Sequence, residues 1–346
     1  MNKKITMKTI ANEAGVSVMT VSNVINNKKS SVSEKTKDKI LELIQKYEYT
    51  PNLNARALNQ GSTRLIGLLY YSNEWNVNFS DSFVSEVLEG MERVAKERGY
   101  FTLLYNANSS EEITLIQNNW KFDGFIIIGV TKKFFKGINE KIFAPVVYVD
   151  TYVPEQERIV EKKEYMGFVN SDDYSCGKKA VEYLISRGHE KIAFLTYERD
   201  ISISDVNENR YKGFLEGLAQ QGYDFDTSHY FTLDDFKMIE GKMDEFTAVS
   251  CTSDFLALEL VHYLKKRGLY KKRELSIIGI DDIKYAAIVD PPLTTINLEQ
   301  SKKGSIAMEM LLDVVEGKEQ IKNKCIQKGQ LVVRESCFEK RDEKNA

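Results

Sequence analysis

Apolar side chains recur at helical spacing three times near the start of the chain, and each run places them on a single face. Gly15 can end the first run in the left-handed conformation, and Ser17 and Ser33 can cap the runs that follow. The predicted helices lie at about 6–14, 18–26 and 33–47. Three short helices with a tight turn between the first two are typical of a helix-turn-helix.

From residue 65 onward, short continuous apolar runs alternate with helical patterns. Such runs are typical of parallel strands whose sheet is covered by helices on both faces. The predicted strands of a first half are Leu65–Tyr71, Phe101–Tyr105, Gly124–Ile128 and Val146–Val149. The alternation then restarts, and the predicted strands of a second half are Met166–Val169, Ile192–Leu195, Tyr230–Phe231, Ala248–Cys251 and Leu275–Ile280.

The pattern therefore predicts a small all-α helix-turn-helix head followed by an α/β body of two doubly wound parallel-sheet subdomains. Two α/β halves of similar size leave a cleft between them. Ligands in such folds bind outside the carboxyl ends of the strands, so a binding site is expected there.

Charge is distributed unevenly along a chain whose overall composition is ordinary for a globular protein. The net charge is only −3, so no field of the whole molecule favours nucleic acid. Residues 1–60, however, hold ten Lys and Arg against five Asp and Glu, whereas the rest of the chain holds 38 against 46. A basic head on an acidic body indicates a small anion-binding unit joined to a larger one.

Helical periodicity alone does not identify the head as a DNA-binding domain, since a three-helix cap on an enzyme would show the same periodicity. Specific residues of the head distinguish the two. The run TMKTIANEAGVSVMTVSNVINN, followed by VSEKTKDKILELIQKYEYTPNLNARAL, closely resembles the DNA-binding head of the Lac/Gal repressor family. Body strings that match the same family are RGHEKIAF, NRYKGF, SIIGIDDI, PPLTTI and LVVRES. The resemblance covers about residues 5–336 and implies a body similar to periplasmic sugar-binding proteins.

The resemblance implies a homodimeric transcription regulator, most simply a repressor, that binds a palindromic operator and responds to a sugar or sugar derivative. On this reading, residues 1–50 are the helix-turn-helix domain, 51–62 the hinge and 63–340 the effector-binding and dimerisation domain. One subdomain is expected at about 63–163 plus 297–324, and the other at about 164–293 plus 325–340.

Hydroxyl and amide side chains of the head can bond phosphates, which sets the register of a protein on DNA. The side chains predicted to do so are Ser17, Thr20, Ser22, Asn26, Ser33 and Thr36, and Thr6, Tyr49 and Asn52 complete the polar set. Val18 and Met19 open the second helix, where apolar tips suit thymine methyl groups in the major groove.

Asn23 departs from the family pattern, which usually has an arginine that reads guanine at this position. An asparagine favours adenine through its paired donor and acceptor. We therefore expect the operator half-site to differ from the family's common one at that base pair.

The hinge is too short to be a stable helix alone in water. In the family it becomes helical on the operator, beside its twin. By this resemblance Leu58 is the wedge that enters the minor groove, and Ala55 packs between the paired helices. The alternative is a plain linker with an incidental leucine.

Side chains at the carboxyl ends of the predicted strands are candidates for binding the effector. They are Tyr71, Ser72, Trp75, Phe83, Asp150, Ser253 and Asp281, together with Arg210 at the same rim. The family carries effector contacts at the positions of Asp150, Arg210 and Asp281, although a structural ion pair or a helix cap remains the alternative for each. Ser253 replaces the family's usual Asn, and Leu298 stands where some sugar-responsive members have Gln, which puts the familiar ligands in doubt.

Catalytic and metal chemistry have no matching pattern in the sequence. Asp281 and Asp282 are adjacent, so their side chains diverge and cannot flank one glycosidic bond. The His residues are isolated, and the four Cys show no CxxC spacing, which is typical of free thiols in a reducing compartment. We expect no enzyme activity, no cofactor and no bound metal.

No signal-peptide pattern and no run of about 18 apolar residues is present, so a cytoplasmic protein without a membrane partner is expected. The ten residues after Ser336 contain no leucine heptads, so dimerisation is expected through the body. Two rival classes are a sugar-binding protein that does not bind DNA, which would need no basic head, and an α/β enzyme, which would need a catalytic constellation.

Overall fold

The computed structural model describes residues 5–25, 32–49, 62–71, 81–154, 165–270, 274–319 and 322–340. The chain forms two compact units, Met1–Thr63 and Arg64–Ala346, which are called the head and the body below. No helix in the described ranges is long and apolar enough to cross a membrane.

The described part of the head consists of three helices. They are α1 (Met7–Ala14), α2 (Val18–Ile25) and α3 (Glu34–Lys46). Gly15 ends α1 at a φ of 73°, as expected from its lack of a side chain. Thr6 lies just outside α1 and caps it, because its Oγ1 accepts a hydrogen bond from the backbone N–H of Thr9 at 3.3 Å.

A small apolar core joins the three helices of the head. Its buried side chains are Ile10, Ala11, Ala14, Val21, Val24, Ile40 and Leu43. Around it, Glu13 on α1 accepts hydrogen bonds from Tyr47 Oη at 2.6 Å and from Lys46 Nζ at 2.9 Å. Lys39 Nζ donates to the carbonyl oxygen of Ala14 at 3.3 Å, where the helix dipole of α1 favours a cation. Two of the head's lysines therefore hold its helices together.

The larger sheet of the body has six parallel strands among the described residues, in the order β11-β5-β4-β3-β1-β2. Its strands are β1 (Leu65–Tyr71), β2 (Phe101–Ala107), β3 (Gly124–Ile128), β4 (Val146–Val149), β5 (Met166–Ser171) and β11 (Lys324–Gln327). The helices that accompany it are α4 (Ser82–Glu97), α5 (Ser110–Asn119), α6 (Lys132–Asn139) and α11 (Gln300–Val315).

The smaller sheet has four parallel strands in the order β7-β6-β8-β9, namely β6 (Ile192–Thr196), β7 (Tyr230–Thr232), β8 (Ala248–Cys251) and β9 (Ser276–Ile278). Its helices are α7 (Asp173–Ser186), α8 (Asp205–Gln220), α9 (Phe236–Gly241) and α10 (Asp254–Lys266). A short antiparallel pair is formed by β10 (Thr295–Asn297) and β12 (Gln330–Val332). The predicted α/β body with parallel sheets is thus confirmed.

One strand lies in a different sheet from the one expected. The run at Met166–Val169 was predicted to open the second half, but β5 pairs with β4, with Met166 opposite Val146, in the larger sheet. The edge strand β11 pairs with β5, with Lys324 opposite Phe168. No apolar run in the sequence predicted β11. Chain order alone misplaced β5, because an apolar run looks the same in either sheet.

Two helix pairs of the body approach so closely that only glycine fits between them. A Cβ atom at Gly177 on α7 would lie 1.9 Å from the carbonyl oxygen of Arg210 on α8. A Cβ atom at Gly304 on α11 would lie 1.9 Å from the carbonyl oxygen of Val87 on α4. These contacts hold Arg210, and Lys303 beside Gly304, in place at the carboxyl ends of the strands.

Candidate sites on the head and the body

The start of α2 is an exposed surface with apolar side chains on it. Val18 and Met19 are 44% and 71% exposed, while Val21 and Val24 on the opposite face are buried in the head core. Asn23 is half-buried on the same helix. This end of α2 can therefore present apolar tips to a surface that the head meets.

Each of the three described helices of the head begins with a pair of hydroxyl groups. The oxygens of Thr6 and Thr9 are 3.1 Å apart, those of Ser17 and Thr20 are 2.9 Å apart, and those of Ser33 and Thr36 are 2.9 Å apart. One hydroxyl hydrogen lies between the two oxygens of a pair, so the other can donate outward. Helix N-termini with such donors suit phosphate groups.

Two of the remaining candidates of the head, Ser22 and Tyr49, are half-buried, and Tyr49 packs against the head core. The other candidates lie outside the described residues: Asn26, Asn52, Ala55 and Leu58 in the head, and Ser72 and Trp75 in the body.

In the body, Arg210 is 6% exposed and its guanidinium binds three oxygens at the carboxyl ends of the strands. Nε donates to Asp173 Oδ1 at 2.7 Å, and Nη2 donates to Asp281 Oδ1 at 3.3 Å. Nη1 donates to the carbonyl oxygen of Thr252. The sequence nominated Arg210 and Asp281, and the structure brings them together.

Asp150 follows β4 and pairs with Lys303, which was not among the residues predicted to bind the effector. Lys303 Nζ lies 2.9 Å from both carboxylate oxygens of Asp150, and the lysine side chain is 1% exposed. Lys303 shares a buried face of α11 with Ala307 and Met310, so a lysine at inward helical spacing was the available signal. Its carboxylate partner, more than 150 residues away in the chain, could not be read from that spacing.

Two of the candidate residues have a backbone that non-glycine residues seldom adopt. Asp150 has a φ of 51° and Asp281 a φ of 129°. Such conformations cost about 1–3 kcal/mol each and cluster at functional sites. Asp150 directly follows β4 and Asp281 lies three positions beyond β9, at the carboxyl ends of the strands where a ligand is expected.

Burial raises the pKa values of the carboxyl groups in this cluster. The pKa of Asp281 rises to about 8, because burial and the carboxylates of Asp254, Asp81 and Asp173 outweigh the opposing effect of Arg210. Burial also raises the pKa of Asp150, against the effect of Lys303. The cluster therefore resists further negative charge.

The remaining described candidates have structural contacts of their own. Ser253 caps α10 by accepting from Leu256 N at 3.3 Å, and its hydroxyl lies 2.7 Å from Tyr197 Oη. Tyr71 is buried, with its ring 5.7 Å from that of Phe134. Phe83 lies beneath Lys303, whose Nζ is 5.8 Å from the centre of the ring.

Further residues of the cluster were not found from the sequence. Asp173 binds Arg210, and the single hydroxyl hydrogen of Tyr152 has two acceptors within reach, Asp173 and, at 2.8 Å, the carbonyl oxygen of Ser171. Asp173 is the first residue of α7, which follows β5. Because β5 was assigned to the wrong sheet, Asp173 was not predicted to lie at the site. No group of three or more His, Cys, Asp and Glu able to hold a metal occurs in the described part of the chain.

Comparison with known proteins identifies the family to which this chain belongs. Residues 6–52 match the family described as bacterial regulatory proteins, lacI family, and residues 181–337 match a periplasmic binding protein-like domain. The HTH-type transcriptional repressor PurR of Vibrio cholerae serotype O1 (strain M66-2) is 30% identical over 332 residues, which are 91% of this chain and 92% of the relative. The chain belongs to the LacI family.

Other relatives agree with this assignment. The ribose operon repressor of Haemophilus influenzae is 27% identical over 350 residues, covering 96% of this chain and 98% of the relative. Among solved structures, the lac repressor dimer bound to operator and the anti-inducer ONPF has a TM-score of 0.80 at 22% identity, covering 97% of this chain and all of that one. The CelR–cellobiose complex has a TM-score of 0.68 at 23% identity, with 96% and 100% covered. These structures show that the LacI-family chain shares their fold.

The family membership confirms the interpretation of the sequence as a DNA-binding transcriptional regulator with a helix-turn-helix head and a periplasmic-binding-protein-like body. Its relatives are transcriptional repressors and not enzymes, as the sequence analysis expected.

Proposed function

We propose that this LacI-family protein is a homodimeric repressor whose heads bind a palindromic operator and whose body binds a small polar effector, a sugar or sugar derivative. The proposal rests on the presence of two features in one chain: an exposed helix-turn-helix surface in the head and a cluster of buried charged side chains in the body. The names of its relatives, PurR and a ribose operon repressor, support the repressor role. A regulator that acts on DNA works in the bacterial cytoplasm, which we propose as its location.

On the operator, α2 lies in the major groove with Val18, Met19 and Asn23 toward the bases. The hydroxyl pairs at the three helix starts, which include Thr6, Ser17, Thr20, Ser33 and Thr36, face phosphates, together with Ser22, Tyr49, Asn26 and Asn52. In the hinge, Ala55 packs between the paired helices of the dimer and Leu58 enters the minor groove. The exposure of Val18 and Met19, 44% and 71%, supports this orientation, since exposed apolar side chains are available to a partner.

In the body, the effector binds beside Arg210, Asp281, Asp150 and Ser253, with Tyr71, Ser72, Trp75 and Phe83 at the flanks. The buried position of Arg210 supports this site, because side chains held by several bonds orient a ligand with little loss of entropy. Effector binding changes the relative population of two arrangements of the body, and the hinges of the dimer transmit the change.

We propose that the body has two subdomains, one built on the larger sheet and one on the smaller. The chain crosses to the smaller-sheet subdomain after β5, returns near residue 297 before α11, and crosses once more beyond β11. The pairing of β5 and β11 with the larger sheet supports these crossings over the earlier expectation of residues 164 and 325. The head at 1–50 and the hinge at 51–62 are retained as proposed.

Dimerisation through the body fits its exposed apolar side chains. Phe255, Tyr285 and Ile288 are 49%, 59% and 76% exposed. They lie at the same end of the smaller sheet, since Asp254 Oδ2 accepts from Ile283 N at 3.0 Å and so joins the start of α10 to the turn at 284–287. Large exposed apolar side chains grouped in this way mark interaction surfaces.

The DNA half of the proposal is tested by selecting binding sites from random double-stranded DNA with the full-length protein. We expect a palindromic site whose affinity falls steeply with salt concentration, as phosphate contacts require. Met19→Ala should weaken binding about tenfold, while the matched control Met238→Ala, an exposed methionine of the body, leaves it unchanged. Enrichment of no palindrome would refute the operator model.

The effector half is tested with two serines that cap helices in the same way. Ser253 caps α10, and Ser109 caps α5 by accepting from Glu112 N at 3.3 Å. Replacing either by Ala should cost about 1 kcal/mol of stability through the lost cap. Only Ser253→Ala should also weaken the ligand-induced rise in melting temperature across a panel of sugars. Equal behaviour of the two variants toward the ligand would speak against the site.

A further inference from the structure

Carboxyl groups outnumber cations in the buried cluster of the body. Asp281 interacts electrostatically with Arg210, Asp254, Asp81 and Asp173, and Asp150 interacts with Lys303 and Arg210. Five carboxyl groups therefore surround two cations among the described residues of this cluster.

Both cations are already engaged by the protein. Arg210 donates from Nε, Nη1 and Nη2 to oxygens of the chain, and Lys303 lies 2.9 Å from both oxygens of Asp150. An anionic group on a ligand would have to break one of these buried contacts, which leaves a carboxylate without its partner.

Acidic side chains also outnumber basic ones in the lining of a cavity next to this cluster. The cavity, of about 380 Å³ beside Asp281, is lined by four acidic residues, Glu86, Asp281, Asp282 and Glu299, and by two cations, Arg93 and Lys302. Arg93 donates to Ser305 Oγ at 2.8 Å, Lys302 pairs with Glu299 at 2.8 Å, and Asp282 pairs with Arg334 at 2.6 Å, which leaves Glu86 and Asp281 as the further acidic side chains of the lining. A ligand that extends into this cavity again meets more acceptors than cations.

Carboxylate oxygens accept hydrogen bonds, so this surface suits a ligand rich in donors. A hydroxyl group provides one donor, and an ammonium group provides three donors and a positive charge. The raised pKa values of Asp281, to about 8, and Asp254, to about 7, are consistent with this preference, since a nearby cation would stabilise the charged forms of both.

We propose that the effector carries no negative charge and that an amine in place of one hydroxyl strengthens its binding. Neutral sugars and amino sugars belong to this class, whereas sugar phosphates and sugar acids are rejected. The inference rests on the proposed effector site and specifies its ligand class.

The test compares matched compounds on the full-length protein by thermal shift and by calorimetric titration: glucose with glucosamine, glucose 6-phosphate and glucuronate, and ribose with ribose 5-phosphate. We expect each anionic derivative to bind at least tenfold more weakly than its parent, and the amine to bind more tightly than the hydroxyl. An anionic derivative that stabilises the protein more than its parent would overturn the inference and leave the effector site standing.

A charge variant gives the inference a second readout. Asp81→Asn removes one carboxylate from the cluster without touching a hydrogen bond of Arg210, and Asn can still cap α4. It should narrow the difference in affinity between the parent sugar and its phosphate ester. The matched control Asp290→Asn, whose side chain is 86% exposed, should leave that difference unchanged. A difference that stays the same in Asp81→Asn would count against the charge argument, whereas no response of operator affinity to any compound would count against the effector site itself.

Discussion

In the head, the hydroxyls of Thr6, Ser17 and Ser33 lie at exposed helix starts, whereas in the body the charges of Arg210 and Lys303 are buried against carboxylates. DNA is a large ligand that brings its own charges, so a surface of donors and apolar tips is enough to meet it. A small effector brings few groups, so the protein must hold its own charges in position beforehand. The two regions should therefore respond differently to substitution.

The largest effect is expected from Arg210→Met in the body. The change leaves Asp173 and Asp281 buried without their shared partner, and breaking a buried ion pair in this way costs about 3–5 kcal/mol. Urea unfolding of the full-length protein measures the loss. The exposed Arg199, which pairs with Asp235, provides the control, since Arg199→Met should cost less than about 1 kcal/mol. Similar losses from the two variants would show that burial does not distinguish these ion pairs.

The next effect concerns the head, whose core is small. Ile10 is fully buried, and Ile10→Ala should destabilise the head by about 2–3 kcal/mol through lost contacts and a residual cavity. Calorimetry should show the transition of the head at a lower temperature and that of the body unchanged. Loss of operator binding with retained effector binding would accompany it. A shift of both transitions would mean that the two units do not unfold independently.

A smaller effect is expected for base preference at α2. Asn23→Arg should move the selected half-site toward G·C at one base pair, with a discrimination of about 1–2 kcal/mol, because arginine bonds both acceptors of guanine. Site selection with the two proteins side by side measures it. An unchanged preference would place Asn23 away from the bases.

The smallest effect is a dependence of body stability on pH. The pKa of Asp281 is about 8 in the folded state and lies near 4 in the unfolded chain, so the folded state binds more protons between these values. Stability should therefore fall by about 1 kcal/mol as the pH rises from 7 to 8, and the fall should end about one pH unit above that. Unfolding of the wild type and of Asp281→Asn at several pH values measures this term, which the variant should lack.

The head was predictable because its decisive interactions are local. The caps at Ser17 and Ser33 and the left-handed Gly15 each involve residues that are at most a few positions apart in the chain. Local sequence therefore predicted the three described helices, with bounds that differ from the observed ones by one position at Thr6, Ser33 and Tyr47.

In the body, the sequence predicted the segments that form β1 to β9, but not the strands β10, β11 and β12 and not how the strands pair. Hydrophobic runs announced β5, yet its place in the larger sheet depends on β4 and on β11, which comes more than 150 residues later. Strand pairing is a contact between distant segments, and apolar character carries no information on the partner.

The same division runs through the candidate sites. The family, the helix-turn-helix and the candidates Arg210, Asp150 and Asp281 could be predicted from the sequence, because motifs and strand ends are properties of local segments. The contacts of Lys303 with Asp150 and of Asp173 with Arg210 follow from the packing of distant segments. Close packing at Gly177 brings α7, which carries Asp173, against α8, which carries Arg210, and Gly304 packs α11, which carries Lys303, against α4, so these contacts depend on segments far apart in the chain.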